Sequence, residues 1–170
     1  MQDSFNPAVP RPIAEKLGQA LLKELDRNNP ALIDTPIALS LIRSGADVTL
    51  QNQWQRTALH HAANSGNLEI ATALIDAGAP LDGKNNHGHT PLCVAVLYGR
   101  TDIVRLLLKA GAIPDAENNC GQTPLARARE LNRTEIATML EEAMDDWRHQ
   151  GLPLKSDVKV SKPLKLRLWR

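Results

Sequence analysis

Two histidines of the chain, His87 and His89, stand one residue apart, and a third, His61, begins a predicted helix. A His-x-His pair can supply two imidazole nitrogens to a transition metal. A stable metal site also needs further ligands and neighbours that orient them, and the sequence offers no candidate for either. We therefore expect polar side chains on an exposed hairpin, with no metal and no cofactor. A metal-binding protein or an enzyme that uses these histidines is the less favoured alternative.

The other motifs give no indication of an enzyme. The sequence has no glycine-rich phosphate loop, no Cys-x-x-Cys pair, no His-Glu-x-x-His motif and no serine nucleophile elbow. Its two cysteines, Cys93 and Cys120, do not suggest a disulfide framework. We expect Cys93 to be a small buried residue, and Cys120 to lie at a hairpin tip without a neighbouring cation that would activate its thiol.

The net charge of the 170 residues is +1, so no overall field points to nucleic acid or to a membrane surface. Residues 151–170 nevertheless carry six Lys or Arg against one Asp, which leaves the rest of the chain acidic. No stretch reaches the roughly 18 apolar residues that would span a bilayer, and the first residues lack the features of a secretory signal. We expect a cytoplasmic protein that binds no nucleic acid.

A 33-residue period is the strongest pattern in the chain. A period of this length indicates stacked supersecondary units rather than one closed core. The scarcity of aromatic residues suits thin, closely stacked helices. The period is carried by a Gly-Ala pair, a threonine and a leucine, which recur at Gly45-Ala46, Gly78-Ala79 and Gly111-Ala112, at Thr57, Thr90 and Thr123, and at Leu59, Leu92 and Leu125.

Each period predicts two short helices. In the clearest copy, Thr90 is expected to cap a first helix with Pro91 at its first position, and Gly99 ends that helix. Apolar residues at helical spacing then predict a second helix, which stops at Gly111. An amphipathic helix is also predicted from Ile13 to Leu25, ending near residue 28, before the first period.

These motifs resemble the ankyrin repeat over roughly residues 31–144. The resemblance rests on Thr57-Ala58-Leu59-His60, Thr90-Pro91-Leu92-Cys93 and Thr123-Pro124-Leu125-Ala126, together with the Gly-Ala pairs, all in fixed register. It implies an all-α solenoid of stacked antiparallel helix pairs with β-hairpin loops. It also implies that His60 has a structural role, in which it bonds the backbone of a neighbouring loop.

The predicted organisation has three parts. Residues 1–11 form an N-terminal extension, and residues 151–170 form a basic C-terminal tail. Between them, residues 12–150 form the repeat domain, with a divergent cap at 12–52 and repeats at 53–85, 86–118 and 119–147. A terminal repeat needs a polar outer face, and the last helix is expected to run on past its predecessors, with Glu141 facing outward and a buried stripe at Ile136, Leu140, Ala143 and Trp147.

The resemblance further implies a function in protein–protein interaction, as an adaptor, an inhibitor or an immunity-type binder. Ankyrin-like stacks generally bind through their hairpin tips and the outward side of their first helices. Trp54 beside Arg56 has the composition of an interface hot spot. Alternatively, Gln55 replaces the usual turn glycine, so this hairpin is distorted and Trp54 packs on its neighbour. The positions carried over are Trp54, Arg56, Asn64, Ser65, His87, His89, Leu97, Tyr98, Cys120, Gln122, Glu130 and Leu131.

The tail alternates apolar and basic residues at the period of a strand, and Pro163 interrupts the alternation. Three alternatives remain for it: a disordered extension, a segment that folds back on the acidic repeat body, or a peptide that docks on a partner. The second would make the protein a regulator that masks its own surface. A monomer is the favoured oligomeric state. The tail residues of interest are Lys159, Lys162, Lys165, Arg167 and Trp169.

Overall fold

The computed structural model describes residues 9–26 and 33–151, so the predictions for the basic tail lie outside the described residues. The helices of this part occur in successive antiparallel pairs, as the period predicts. In chain order they are α1 Arg11–Leu25, α2 Thr35–Arg43, α3 Ala58–Ser65, α4 Leu68–Asp76, α5 Pro91–Tyr98, α6 Thr101–Lys109, α7 Pro124–Glu130 and α8 Thr134–His149.

The recurring threonines start the first helix of each repeat, as predicted. The Thr90 hydroxyl accepts a hydrogen bond from the Cys93 amide at 3.3 Å, and the Thr123 hydroxyl accepts one from the Ala126 amide at 3.2 Å. Each bond satisfies a backbone N–H that the first turn of a helix leaves free. At its other end, α5 stops at Gly99, which adopts the left-handed conformation with φ 66°.

The helices form two layers. The first helices of the pairs (α1, α3, α5, α7) contact one another along the stack, and so do the second helices (α2, α4, α6, α8). One hydrophobic core runs between the layers through all four pairs. Its largest fully buried side chains are mainly leucines and isoleucines: Leu21, Leu25, Leu59, Ile70, Leu74, Leu92, Ile103, Leu107 and Leu140. The architecture is the all-α solenoid that the sequence predicts.

The predicted β-hairpin loops are present as tight turns rather than as paired strands. In the described residues, bridge pairing is limited to an isolated antiparallel pair between Gln51 and Thr57. Each turn has two backbone bonds of its own, such as those from the Asn85 amide to the His89 carbonyl at 3.0 Å and from the Gly88 amide to the Asn85 carbonyl at 2.8 Å. The arms are too short for a ladder, because a helix begins two residues after each turn.

The two ends of the stack depart from the sequence predictions. In the last pair, Ile136 and Leu140 are buried as predicted, but Ala143 and Trp147 are only half-buried, and Met144 is buried instead. The 16-residue α8 outruns the nine-residue α6, so part of its final turns lies uncovered. Glu141 is exposed, as predicted, and pairs with Arg129.

At the first pair, α1 ends at Leu25 rather than near residue 28. Ile13 on its predicted apolar face is 50% exposed, and Ile37 on α2 is 49% exposed. Ile70, the 33-residue equivalent of Ile37, is fully buried. The difference arises because α4 packs against α2, whereas α2 has no earlier second helix beside it among the described residues.

Candidate partner-binding surface

Three turns project from the stack at residues 52–56, 85–89 and 118–122, and an asparagine opens each one. The side-chain Oδ1 of Asn52, Asn85 or Asn118 accepts hydrogen bonds from the backbone amides two and four residues later, at 2.9–3.1 Å. These bonds fix the loop from within. Sequence reasoning did not single out these asparagines, although their 33-residue spacing is visible in the sequence.

The turn that contains Trp54 is not distorted. Gln55 takes the left-handed conformation with φ 57°, close to the φ of 75° at Gly88 in the next turn. Its amide bonds the Asn52 carbonyl at 2.8 Å, as the Gly88 amide bonds Asn85 at 2.8 Å. The interpretation in which Gln55 deforms the hairpin is therefore wrong, and the Trp54 side chain remains 43% exposed.

Neighbouring turns are joined by their backbones. The Asn86 amide donates to the Trp54 carbonyl at 3.2 Å, and the Asn119 amide donates to the His87 carbonyl at 3.1 Å. The Asn119 side-chain amide adds a bond to the Asn86 carbonyl at 2.9 Å. The turns thus form a connected row rather than independent loops.

His60 links its helix to the following turn, as the family resemblance implied. Its Nε2 donates to the His89 carbonyl at 3.0 Å, so its Nδ1 is free to accept from the Thr57 amide at 3.1 Å. Burial lowers the pKa of His60 from 6.5 to about 4. Cys93 occupies the equivalent position in α5, where burial raises the pKa of its thiol to about 11 and leaves it unreactive.

Two arginines tie first helices to the next pair, Arg100 acting on α3 and Arg133 on α5. Arg100 Nε donates to the Asn64 carbonyl at 3.0 Å, and Arg133 Nη2 donates to the Leu97 carbonyl at 3.1 Å. Each guanidinium lies against the glycine that ends the helix it contacts. These bonds use the backbone of Asn64 and Leu97 and leave their side chains to face the neighbouring groove.

The structure brings most of the predicted residues of the first two repeats into one concavity, which we call the inter-repeat depression. It has a volume of about 180 Å³ and lies between the turns 52–56 and 85–89 and the helices α3 and α5. Tyr98 at its edge is 53% exposed. Its lining residues are Arg56, His60, Asn64, Asn85, His87, His89, Val94, Leu97 and Tyr98.

The other predicted residues do not line the depression. Trp54 is exposed two residues before Arg56, and the Ser65 hydroxyl donates to the Ala62 carbonyl within its own helix.

In the third repeat, Cys120 and Leu131 are exposed. Gln122 accepts a bond from the Asn118 side chain at 3.2 Å, and Glu130 pairs with Arg127 at 2.6 Å.

The histidines are not arranged as a metal site. The rings of His87 and His89 lie 6.1 Å apart, and the Asn118 side chain contacts His89 Nε2 at 3.2 Å. His61 is buried elsewhere, with its Nε2 3.8 Å from a carboxylate oxygen of Asp26. Burial lowers the pKa of its imidazole. Within residues 9–26 and 33–151, no group of three or more His, Cys, Asp or Glu side chains is placed to hold a metal ion.

The fold defines a repeat protein built from stacked helix pairs, with a row of turns along one face. The family model described as ankyrin repeats, three copies, matches residues 31–118, slightly more than half of the chain, and the chain belongs to the ankyrin repeat family. A search of curated proteins found no match. The stack continues beyond the matched range, since α7 and α8 form a further pair.

Ankyrin repeats generally mediate protein–protein interaction, and members of the family are typically binding modules without enzymatic activity. Among the helices that the structure describes, none combines the length and the apolar character needed to cross a membrane.

Proposed function

We propose that the chain binds another protein through its hairpin face, defined as the turns 52–56, 85–89 and 118–122 together with helices α3, α5 and α7. The observation that carries this proposal is the inter-repeat depression. Side chains from two successive repeats converge on it, and its mixture of apolar, aromatic and hydrogen-bonding groups is typical of a recognition surface.

The rigidity of the hairpin face supports the proposal. Backbone bonds join the turns, asparagine side chains fix each turn internally, and arginines hold the first helices in register. A surface that is already ordered loses little conformational entropy on association. The hairpin face is therefore preorganised for binding.

The residue types on this face also favour a protein partner. Tryptophan, tyrosine and arginine are the side chains that most often dominate the energetics of interfaces. Tyr98 lines the depression together with the half-buried Arg56, and the exposed Trp54 lies two residues before Arg56, so both aromatic side chains offer apolar contact area beside its charge. A partner held in this way suits an adaptor or an inhibitor, which acts by occupying or by joining other proteins.

Site-specific photo-crosslinking tests the proposal. The photoreactive residue p-benzoylphenylalanine replaces Tyr98 on the hairpin face or, as a matched control, Leu68, which is 45% exposed on α4 in the other layer. Both variants are expressed in the source cells and irradiated, and crosslinked proteins are identified by mass spectrometry.

We expect one protein to be crosslinked from position 98 and not from position 68. Crosslinking from position 68 alone would place the binding surface on the second helices and contradict the proposal. Crosslinking from neither position, in cells where the protein is expressed at its native level, would also count against it.

A further inference from the structure

The inter-repeat depression contains cationic and hydrogen-bonding groups but no carboxylate. Its polar lining comes from one arginine, three histidines, two asparagines and a tyrosine. The guanidinium of Arg56 has no ion-pair partner among the described residues, in contrast to Arg105, Arg127, Arg129 and Arg148. A half-buried cation without a counter-charge is an electrostatic feature that a ligand can complete.

The charged and titratable groups that face His89 are all basic side chains. They come from four elements: Arg56 from the preceding turn, His60 from α3, His87 from its own turn and Arg127 from α7. Each is a cation or becomes one on protonation. Burial first, and then His87, Arg127 and Arg56, lower the pKa of the His89 imidazole. Of the two arginines, Arg127 pairs with Glu130 at 2.6 Å, so Arg56 is the cation available to a ligand in the depression.

His89 also retains a hydrogen-bond donor. The Asn118 amide donates to its Nε2, which leaves the hydrogen of the neutral ring on Nδ1. No partner for this Nδ1 is found within the described part of the chain. Together with Arg56, it supplies donors for an oxygen acceptor without any need to protonate the ring.

The size of the depression limits what can enter it. Its volume of about 180 Å³ is smaller than the roughly 300–1,000 Å³ of pockets that hold small-molecule ligands. Val94 and Leu97 give it an apolar wall beside the polar groups. A single side chain with a short apolar stem and an anionic end fits both properties.

We infer that the inter-repeat depression receives a carboxylate side chain, Asp or Glu, from the partner protein, and that Arg56 is the main residue that binds it. This inference rests on the proposed function and deepens it, because it gives the partner a chemical signature. An acidic residue flanked by apolar ones would place its carboxylate at Arg56 and its neighbours on Tyr98 and Trp54.

A peptide selection tests the inference. Random 12-residue peptides, displayed with their C-termini fused to the carrier, are selected on the full chain, so a free terminal carboxylate cannot contribute. The strongest peptide is synthesised with an amidated C-terminus, and also with each acid replaced by its amide, Asp by Asn and Glu by Gln. A separate arm uses the free C-terminus. Dissociation constants are measured by calorimetry.

The matched protein variants are Arg56→Gln, which removes the proposed ligand-binding charge, and Lys109→Gln, which removes one exposed positive charge on α6. Arg56→Lys keeps the charge and controls for any loss of folding. Circular dichroism and thermal denaturation verify that each variant is folded before binding is measured.

We expect selected peptides to contain an acidic residue. Replacing it by its amide weakens binding by about 10-fold or more, as does Arg56→Gln, because a hydrogen bond to a charged group is stronger than one between neutral groups. The amide peptide and Arg56→Gln combined lose little more affinity than either change alone, because both remove the same contact. Arg56→Lys restores part of the affinity, and Lys109→Gln leaves it within about twofold, as expected for an exposed charge outside the contact.

Other outcomes separate the inference from the proposed function. Peptides that lose affinity on Tyr98→Ala but not on amide replacement would overturn the carboxylate assignment and leave the hairpin face intact. Peptides insensitive to both Tyr98→Ala and Arg56→Gln would overturn both. A selection that enriches no peptide above the level reached with Arg56→Gln, or binding that requires the free C-terminus, would overturn the inference.

Discussion

The repeat at 53–85 bonds the following turn through a buried imidazole, whereas the repeat at 86–118 has a cysteine at the equivalent position. At the first junction, His60 bonds the His89 carbonyl from inside the stack. At the second, Cys93 cannot reach the following turn in this way, and the Asn119 side chain bonds the Asn86 carbonyl from outside. The first junction also has an exposed bond, which Lys84 donates to the Glu117 carbonyl at 2.6 Å.

Both junctions keep the same backbone bond between turns, with N–O distances of 3.2 and 3.1 Å. Equal spacing is thus reached by two chemical routes with different sensitivities. The buried route depends on one neutral imidazole that acts as donor and acceptor at once. The second junction includes bonds between exposed groups, which water can replace, so the loss of any one bond should lower the free energy of unfolding less.

The largest expected difference between the junctions is their response to acid. The pKa of His60 is about 4 in the folded chain, below the 6.5 of an unperturbed imidazole, and each unit corresponds to about 1.36 kcal/mol. The unfolded chain binds the proton more readily, so this contribution is complete above pH 6.5 and is lost as the pH falls towards 4. We expect a loss of about 3 kcal/mol in the free energy of unfolding, measured by urea denaturation across this range.

Removal of the exposed His149 is the control, and His149→Gln should retain the same pH dependence. His60→Cys should flatten it. If wild type and His60→Cys lose equal stability between pH 6.5 and 4, the acid sensitivity lies elsewhere, for example at His61 or His89, whose pKa values are also lowered, chiefly by burial.

A smaller loss of stability is expected at neutral pH when His60 of the first junction is replaced by cysteine, the residue that the second junction has at the equivalent position. His60→Cys removes the bonds to Thr57 and to the His89 carbonyl, and the free energy of unfolding should fall by about 1–3 kcal/mol, because buried groups lose their partners. Urea denaturation at pH 7.5 measures the change. Cys93→Ala, which deletes one sulfur at the equivalent position, should cost less, and equal losses for the two variants would remove the distinction between the junctions.

The smallest effect is expected at the surface of the second junction. Asn119→Ala deletes the bond to the Asn86 carbonyl, but both groups are exposed and water replaces it, so stability should change by about 0.5 kcal/mol or less. The same urea titration measures it, with the exposed Gln53→Ala at the corresponding position of the first turn as control. A loss as large as that of His60→Cys would show that the outer bonds hold the junction.

Most of the fold could be predicted because its signals are local. Threonines mark the starts of α3, α5 and α7, glycines mark the ends of α3 and α5, and the 33-residue period reveals the number of units that stack. The errors fall at the ends, at Ile13, Ala143 and Trp147, where burial depends on which neighbours are missing rather than on the periodicity of the helix itself.

The candidate site was only partly predictable. The resemblance identified Arg56, His87 and Tyr98 as members of one face, but their convergence on a single depression depends on how two repeats are offset in space. The roles of Arg100 and Arg133 were missed for the same reason, since each acts on the preceding repeat and the period alone does not show which atoms meet.

The main-chain bonds between turns have a practical consequence for redesign. Because backbone amides and carbonyls join the turns, we expect exchange of the side chains at 54, 87 and 120 to leave the distance between the tips unchanged. The turns therefore offer three positions at fixed spacing, and loop sequences grafted there can be screened for new targets without redesign of the helices beneath.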